Sequence, residues 1–371
     1  MDCNADEGTN QMKQYQNILV NALVNLGDVV LTTSAVALLR QAYPGAKITM
    51  LVKPVCREAV ENNPVVDQVL VFGYQAKKKS LKDMLIMAER IRQCHFDLSI
   101  SFDRKLRPAL LAWLARIPVR VGPDRVFDDK ASRVTWLYTD VIHITHDLET
   151  TLQAETYQSI VRGFTGLKLH ARPVFARISQ EAELSAAALL SQLPQHKKNI
   201  ALCVKGTFAL KTWPKEYFVE LVDRLSAAYD AAFFIVGGPG DRAYASEVSS
   251  AMHVPVANFC GETSLTSLAA LLGKSDLLVT VDTGGAHIAA ATGVPMLTLY
   301  GCTSPERWHP ISSNARVLTS HEPCCPCKCR EHECPSQPKP DCLYHVTPAQ
   351  AFDVCQELLD AERLIYAQAE T

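Results

Sequence analysis

One short run of residues combines features that bind phosphate. It consists of Asp282, Thr283, Gly284, Gly285, Ala286 and His287. An apolar strand ends at Asp282, the glycine pair allows a tight turn, and a helix of small residues opens with Ala286 and His287. The first amides of a helix lack partners within it, so a phosphate or pyrophosphate bound there would accept hydrogen bonds from them and from Thr283. An ordinary strand-to-helix turn capped by Asp282 or Thr283 has the same sequence.

A second candidate anion site lies earlier in the same half of the chain. Lys205-Gly206-Thr207 ends a predicted strand, and Lys211-Thr212-Trp213-Pro214 leads into the next helix, with Pro214 in its first turn. Thr207 and Lys211 would then face the turn at Asp282 and offer a hydroxyl and an ammonium group to a diphosphate. A lysine in a loop can also be a solvated surface charge.

The first half of the chain contains one candidate for acid–base chemistry. Asn25-Leu26-Gly27-Asp28 joins the opening strand to its helix, without the further glycines of a dinucleotide-binding fingerprint. This argues against a nicotinamide cofactor. Asp28 would point into a cleft, where it could act as a general base, or it could cap the helix that follows.

Length and charge exclude several classes of protein. A chain of 371 residues exceeds one ordinary core and fits two domains. With 37 basic and 39 acidic side chains, no strong charge favours nucleic acid as a partner. Residues 1–17 are polar and are interpreted as a disordered tail without an export signal. No stretch has the length of a membrane span, and a cytoplasmic protein is expected.

Strand and helix patterns alternate in both halves, which predicts an α/β fold with parallel sheets covered on both faces. Residues 168–179 lack periodicity and suit a linker. The sequence therefore predicts two facing Rossmann-like domains, at 18–172 and 173–347, with a ligand cleft between them. A last helix, within 348–371, is expected to return to the first domain.

Together these motifs resemble glycosyltransferase family 9, the ADP-heptose lipopolysaccharide heptosyltransferases. The resemblance rests on Gly27-Asp28, Lys211-Thr212-Trp213-Pro214, the Asp282 to His287 run and Tyr300-Gly301, in the expected order between about Ile18 and Pro310. It implies a GT-B fold and an inverting transfer of heptose from ADP-heptose to a lipopolysaccharide inner-core acceptor, with no cofactor required for catalysis. A protein or other glycan as acceptor, or a non-catalytic protein that binds a nucleotide sugar or a metal, remain alternatives.

The resemblance also implies roles for residues. Asp28 would deprotonate the acceptor hydroxyl, and Asp282 would contact the heptose. The departing diphosphate of ADP would be bound by Thr207, Lys211 and the turn formed by Thr283, Gly284 and Gly285. His287 would either donate to a phosphate or simply pack, and Thr263 would lie near the adenine.

Basic residues of the first half suit a phosphorylated, lipid-anchored acceptor. Candidates are Arg104, Lys105 and Arg120, accompanied by Lys77-Lys78-Lys79, Arg107 and Arg125. The same charges would favour peripheral contact with the anionic inner membrane, at about 1 kcal/mol for each residue close to the surface. Solvated surface charge is the alternative for each of them.

Six of the thirteen cysteines crowd into residues 324 to 342. Within a Cys-rich loop at 321–345, the spacing of four of them is that of a structural tetrahedral site for zinc or iron: Cys324, Cys327, Cys334 and Cys342. Free or disulfide-bonded thiols are the alternative. In either case the loop is expected to stabilise the fold and to lie apart from the reaction centre.

Overall fold

The computed structural model describes residues 13–73, 81–128, 130–327, 333–336 and 339–369. Most of the predicted tail and the lysines at 77–79 lie outside these residues. Among the helices of the described ranges, none has the length and apolarity needed to cross a bilayer.

The first half of the chain forms a parallel sheet with the spatial order β3-β2-β1-β4-β5-β6. Its strands are β1 (Asn17–Ala22), β2 (Lys47–Val52), β3 (Gln68–Val71), β4 (Leu98–Ser101), β5 (Val119–Pro123) and β6 (Asp140–Ile142). Its helices are α1 (Leu26–Ala42), α2 (Arg57–Val60), α3 (Leu81–Gln93), α4 (Leu106–Leu114) and α5 (Gln153–Thr165).

The second half forms another parallel sheet, with the order β12-β11-β10-β7-β8-β9. Its strands are β7 (Lys198–Cys203), β8 (Ala231–Ile235), β9 (Val256–Asn258), β10 (Leu277–Val281), β11 (Met296–Tyr300) and β12 (Ala315–Thr319). The helices are α6 (Gln180–Leu190), α7 (Lys215–Ala228), α8 (Arg242–Ser250), α9 (Leu265–Gly273), α10 (Gly284–Thr292), α11 (Pro305–Trp308), α12 (Asp341–Tyr344) and α13 (Pro348–Ala369).

Each central strand is buried on both faces, which explains its continuous apolar sequence. In β1, Ile18 and Val20 pack in one core cluster with α1 and α5, while Leu19 packs in another with α3 and α4. In β10, Val279 and Val281 pack toward α7 and α13, whereas Leu278 packs toward α6 and α9. Helices therefore cover both faces of both sheets, as predicted.

The two halves meet where α1 and α10 begin. A Cβ atom added to Gly27 would lie 2.9 Å from His287 Cδ2, and one added to Gly284 would lie 3.1 Å from the Gly27 nitrogen. Val30 of α1 and Ile288 of α10 share an apolar cluster below this contact. The two N-termini can approach this closely because both positions lack side chains.

Helix α13 differs from its prediction. Its residues Ala351, Cys355, Leu358 and Leu359 are buried in the core cluster of the second sheet, among residues of α7, β10 and β11. Over these residues the helix covers the second domain, so the expectation that it returns to the first domain is wrong there. The irregular segment at 166–179 joins α5 to α6. The domain boundary at residues 172 and 173 stays a prediction.

Candidate active site between the two sheets

Asp28 lies in the first turn of α1 but does not cap it. The N-cap residue is Asn25, and the Asp28 carboxylate instead accepts a hydrogen bond at Oδ1 from Tyr157 Oη on α5, over 2.8 Å. The alternative prediction, that the Asp28 side chain caps α1, is therefore wrong. Asp28 lines a cleft at the carboxyl edge of the first sheet.

The surroundings of Asp28 change its affinity for a proton. Burial raises the pKa of the carboxyl group, and the nearby Asp103 raises it further. The Tyr157 hydrogen bond and the positive charges of Arg307 and Lys105 act in the opposite direction. A carboxyl group whose pKa lies above the usual aspartate range suits a general base that works near neutral pH.

The cleft beside Asp28 has a volume of about 990 Å³. It is lined by basic and aromatic side chains in addition to Asp28: Arg104, Lys105, Lys130, Arg133, Phe127 and Trp308. Arg104 forms an ion pair with Asp128 over 2.8 Å. The cleft therefore offers positive charge for an anionic ligand and flat apolar rings for the faces of a sugar.

Arg120 lies elsewhere, contrary to the prediction that grouped it with Arg104 and Lys105. Its guanidinium donates to the carbonyl oxygens of Ile117 and Leu137, over 2.6 and 2.7 Å, near the amino end of β5. These bonds join the start of β5 to the segment before β6. The structure thus gives Arg120 a role in the fold and not in the cleft.

A second cavity, of about 310 Å³, lies at the carboxyl edge of the second sheet. Four predicted donor-site residues line it: Thr207, Thr263, Thr283 and Gly285. Thr283 occupies the N-cap position of α10, but its hydroxyl makes no capping hydrogen bond. This hydroxyl and the positive end of α10 are therefore arranged as the anion-binding interpretation of the run requires.

Lys211 and Asp282 lie beside this cavity as an ion pair. Lys211 Nζ is 2.5 Å from Asp282 Oδ2, and Thr303 Oγ1 donates to the same oxygen over 2.7 Å. Gly206 permits this geometry, because a Cβ there would lie 2.5 Å from the Lys211 carbonyl oxygen. The sequence predicted both charged residues in the donor site but did not predict that they pair.

His287 does not line the donor cavity. Its ring packs against Gly27, and it borders a separate cavity of about 300 Å³ between α1 and α10. Burial lowers the pKa of His287 to about 4, and Nδ1 has no hydrogen-bond partner among the described residues. Of the two predicted alternatives, the geometry favours packing over donation to a phosphate.

The buried neutral imidazole predicts a pH-dependent stability. An unfolded histidine titrates near pH 6.5, so between pH 6.5 and 4 only the unfolded state gains a proton, and stability falls as the pH falls. Between pH 7 and 4.5, we expect wild type to lose roughly 2–3 kcal/mol more unfolding free energy than His287→Asn. Urea titrations at both pH values measure this difference. Equal losses in the two proteins would contradict it.

The segment from Asn25 to Asp28 connects the two cavities. Asn25 and Asp28 line the basic cleft of the first domain, and Leu26 lines the donor cavity of the second. Gly27 packs against the start of α10 between them. A ligand in either cavity would therefore lie against the same strand-to-helix junction.

The Cys-rich loop forms a cluster of thiols. Sγ of Cys324 lies 4.0 Å from Sγ of Cys325, and the Cys327 amide donates to the Cys302 carbonyl over 2.8 Å. Burial raises the pKa of Cys342 to about 11 and that of Cys302 to about 12. These two thiols therefore stay protonated at neutral pH.

This cluster does not support the predicted structural metal. The four expected ligands were Cys324, Cys327, Cys334 and Cys342. In the part of the chain that the structure describes, no three His, Cys, Asp or Glu residues are arranged to hold a metal ion. Cys329 and His332 of the same loop lie outside that part.

Three residues of the site were not predicted as site residues from the sequence: Tyr157, Arg307 and Trp308. Tyr157 lies in α5, a helix that was not predicted. Arg307 and Trp308 lie in the short helix α11 of the second domain, yet Trp308 lines the cleft of the first and the charge of Arg307 acts on Asp28. Placing these two residues requires knowing how the domains dock, and placing Tyr157 requires knowing that α5 packs on α1.

Comparisons with known proteins bear on the family and the fold of the chain. A family model described as glycosyltransferase family 9 (heptosyltransferase) matches residues 84–338, more than half of the chain. The lipopolysaccharide heptosyltransferase 3 of Escherichia coli K12 is 24% identical over 298 residues, which cover 78% of this chain and 83% of that protein.

Two solved structures share the architecture. The structure of E. coli ADP-heptose lipopolysaccharide heptosyltransferase II has a TM-score of 0.77 at 22% identity, and the match covers 94% of this chain and 100% of that one. E. coli heptosyltransferase WaaC with ADP has a TM-score of 0.67 at 20% identity, covering 92% and 100%. The predicted fold of two facing Rossmann-like domains, GT-B, is confirmed.

Proposed function

We propose that this chain, which belongs to glycosyltransferase family 9, transfers a heptose from ADP-heptose to a lipopolysaccharide inner-core acceptor. It is a glycosyltransferase by its family; the donor, the acceptor and the residue roles are the proposal. One observation carries it: the junction from Asn25 to Asp28 borders both the basic cleft and the donor cavity. The half-buried carboxylate of Asp28 therefore lies next to the proposed binding site for a nucleoside diphosphate.

The donor assignment is supported by the second cavity and by the relatives. Thr207, Thr263 and Thr283 line a space at the positive end of α10, which suits the diphosphate of a nucleotide sugar. WaaC binds ADP in its solved structure, and heptosyltransferase II carries ADP-heptose in its name. In our proposal Lys211 binds the leaving diphosphate and Asp282 contacts heptose hydroxyls, so donor binding exchanges their mutual ion pair for contacts with the ligand.

The acceptor assignment is supported by the chemistry of the cleft. Arg104, Lys105, Lys130 and Arg133 supply positive charge, while Phe127 and Trp308 supply rings. An oligosaccharide that carries phosphate or carboxylate groups would use both kinds of contact. The E. coli K12 relative is named lipopolysaccharide heptosyltransferase 3, and lipopolysaccharide is an acceptor of this kind.

The proposed reaction is a single displacement with inversion. Asp28 takes the proton of the acceptor hydroxyl while that oxygen bonds to the anomeric carbon of the heptose. The bond between this carbon and the diphosphate oxygen breaks, and ADP leaves with the electron pair. Positive charge at Lys211 and at the start of α10 stabilises the growing negative charge on the diphosphate. These protein groups supply all the acid–base and electrostatic steps of the proposal.

A transfer assay tests this function. Purified protein is incubated with ADP-heptose and with lipopolysaccharide that lacks heptose or outer-core sugars. We expect the acceptor mass to increase by one heptose, one ADP to be released per transfer, and the anomeric configuration to be inverted. Label that appears only on a protein or on another glycan would select the alternative acceptors. No transfer to any acceptor, with nucleotide binding intact, would favour a non-catalytic binding protein.

Peripheral contact with the cytoplasmic face of the inner membrane is part of the proposal. Four apolar side chains are exposed in the first two turns of α3 and at the start of α4: Leu81 (68%), Leu85 (50%), Ile86 (58%) and Leu106 (51%). Both helices follow parallel strands, so they begin at the carboxyl edge of the sheet. Leu106 lines the basic cleft, and α3 packs beside α4. Apolar side chains beside Lys82, Lys105 and Arg107 suit a surface of anionic lipid.

This contact predicts a selective loss of membrane binding. We expect the double substitution Leu85→Ser and Ile86→Ser to weaken binding to phosphatidylglycerol vesicles about ten-fold or more, because apolar area is no longer buried. Turnover of a soluble, delipidated acceptor is expected to stay at the wild-type rate. Vesicle flotation and a transfer assay measure the two effects.

A matched control lies in the second domain. Leu184 of α6 is 64% exposed. We expect Leu184→Ser to leave flotation unchanged. An equal loss in both variants would contradict a membrane contact at the cleft mouth.

A further inference from the structure

Tyr157, which contacts Asp28, is held in place by buried aromatic packing. Tyr157 is fully buried, and its ring lies edge-on to those of Phe102 and Phe127, with centroids 5.6 and 6.5 Å away. Its hydroxyl donates to Asp28 Oδ1 over 2.8 Å. The packed rings hold the phenol beside Asp28, with Gln153 as its other hydrogen-bonding neighbour, so Tyr157 fixes Oδ1 from the α5 side.

This hydrogen bond distinguishes the two oxygens of the carboxylate. Oδ1 is occupied by Tyr157, whereas Oδ2 has no hydrogen bond to any described residue. Asp28 lines the cleft, so Oδ2 is the oxygen available to an acceptor hydroxyl. Burial raises the pKa of Tyr157 well above 10, which keeps the phenol a donor throughout the working pH range.

A cation from the second domain completes this arrangement. Arg307 is only 5% exposed, and its Nε and Nη2 donate to Gln153 Oε1 over 3.0 and 2.7 Å. Nη2 also donates to the Val126 carbonyl over 3.2 Å. Gln153 begins α5, one turn before Tyr157. The arginine therefore fixes the start of the helix that carries the tyrosine, and its charge acts on Asp28.

We propose that Tyr157 is a positioning residue for the catalytic base: it holds Asp28 Oδ1 so that Oδ2 takes the proton, while Arg307 docks the second domain onto the same helix. This inference rests on the proposed function, because it presumes that Asp28 is the base. The sequence places these groups in three separate segments, and only the docked structure brings them together.

Several charged or titratable groups lie near Asp28 and influence the pH at which its carboxyl group ionises. Asp103 follows β4, Lys105 precedes α4, and Arg307 lies in α11. Cys56, before α2, also interacts with the carboxylate. Of the groups that lower the pKa of Asp28, the Tyr157 hydrogen bond is the largest and Arg307 is the next. Removing either should therefore make Asp28 hold its proton to higher pH.

The test is the pH profile of kcat for Tyr157→Phe. At pH 7 we expect kcat to fall about ten-fold to a hundred-fold, as for loss of a hydrogen bond to a charged group. The acid-side midpoint of the profile should move to higher pH, while KM for ADP-heptose is unchanged. Tyr43→Phe removes a hydroxyl from the same domain at the far end of α1 and should behave as wild type.

A variant of Arg307 tests the same shift in the pKa of Asp28 without altering Tyr157. Arg307→Met removes the cation but leaves the phenol, and we expect its acid-side midpoint to move in the same direction. A folded Tyr157→Phe protein whose kcat falls equally at every pH, or does not fall, would overturn the inference, as would a wild-type midpoint in folded Arg307→Met. Failure of the proposed function looks different, because the wild-type protein would then transfer no heptose.

Discussion

Substitution of Asp28 with asparagine is expected to lower kcat for heptose transfer by about 10²–10⁴-fold, the range that general-base catalysis contributes. Asparagine has nearly the same shape and still accepts the Tyr157 hydrogen bond, but it cannot take a proton from the acceptor hydroxyl. Affinity for ADP should be unchanged, because Asp28 lines the other cavity. Steady-state rates of ADP release and calorimetric titration with ADP measure the two quantities.

The matched control is the neighbouring buried carboxylate. Asp103 is 1% exposed, so it is more deeply buried than Asp28, and it lies at the same edge of the sheet, where its Oδ1 accepts from the Lys105 amide over 3.2 Å. Asparagine at 103 retains that acceptor, so we expect Asp103→Asn to keep kcat within about ten-fold of wild type. If Asp103→Asn abolished transfer and Asp28→Asn did not, the base would be assigned to the wrong residue.

Substitution of Lys211 with methionine is expected to lower kcat by about 10²–10³-fold, the usual cost of removing one charged or hydrogen-bonding stabiliser of a leaving group. Affinity for ADP should also fall, by about ten-fold or more, since a charge-assisted contact to the diphosphate is lost. Lys274→Met, which breaks an exposed ion pair with Glu183 in the same domain, serves as the control and should change neither quantity.

Loss of Lys211 also has a structural effect that must be separated from the catalytic one. Its partner Asp282 would remain buried with only the Thr303 hydroxyl, which should destabilise the fold by about 3 kcal/mol. The double variant Lys211→Met with Asp282→Asn removes both charges. We expect it to regain most of the stability in urea titrations without regaining transfer. Recovery of transfer would mean that the ion pair only maintains the fold.

Much of the fold follows from local sequence patterns. The sequence pattern predicts helices at Leu81–Gln93 and Lys215–Ala228 and a strand at Leu277–Val281, and these are the bounds of α3, α7 and β10 in the structure. The short strands β5 and β6 and the helices α5 and α6 were not predicted. Strand β6 has only three residues, Asp140–Ile142, and is defined by its pairing with β5, which a local pattern does not contain.

The candidate site also contains residues that local motifs predict and residues that depend on long-range contacts. Residues in a motif at a strand end, such as Asp28 and Thr283, could be predicted because parallel strands bring their carboxyl ends to one edge. Arg120 was misplaced because it lies at the opposite end of its strand, where its charge satisfies backbone carbonyl groups. The pairing of Lys211 with Asp282 spans 71 positions of sequence. Such a contact depends on the sheet order, which charge and spacing do not reveal.

The most direct measurement is a crystal structure of the protein soaked with ADP. We expect the diphosphate to lie at the start of α10, within hydrogen-bonding distance of Thr283 and the backbone of Gly285, with the Lys211 ammonium turned from Asp282 toward it. Phosphates that bind far from the glycine pair at 284 and 285, with that cavity left open, would contradict it.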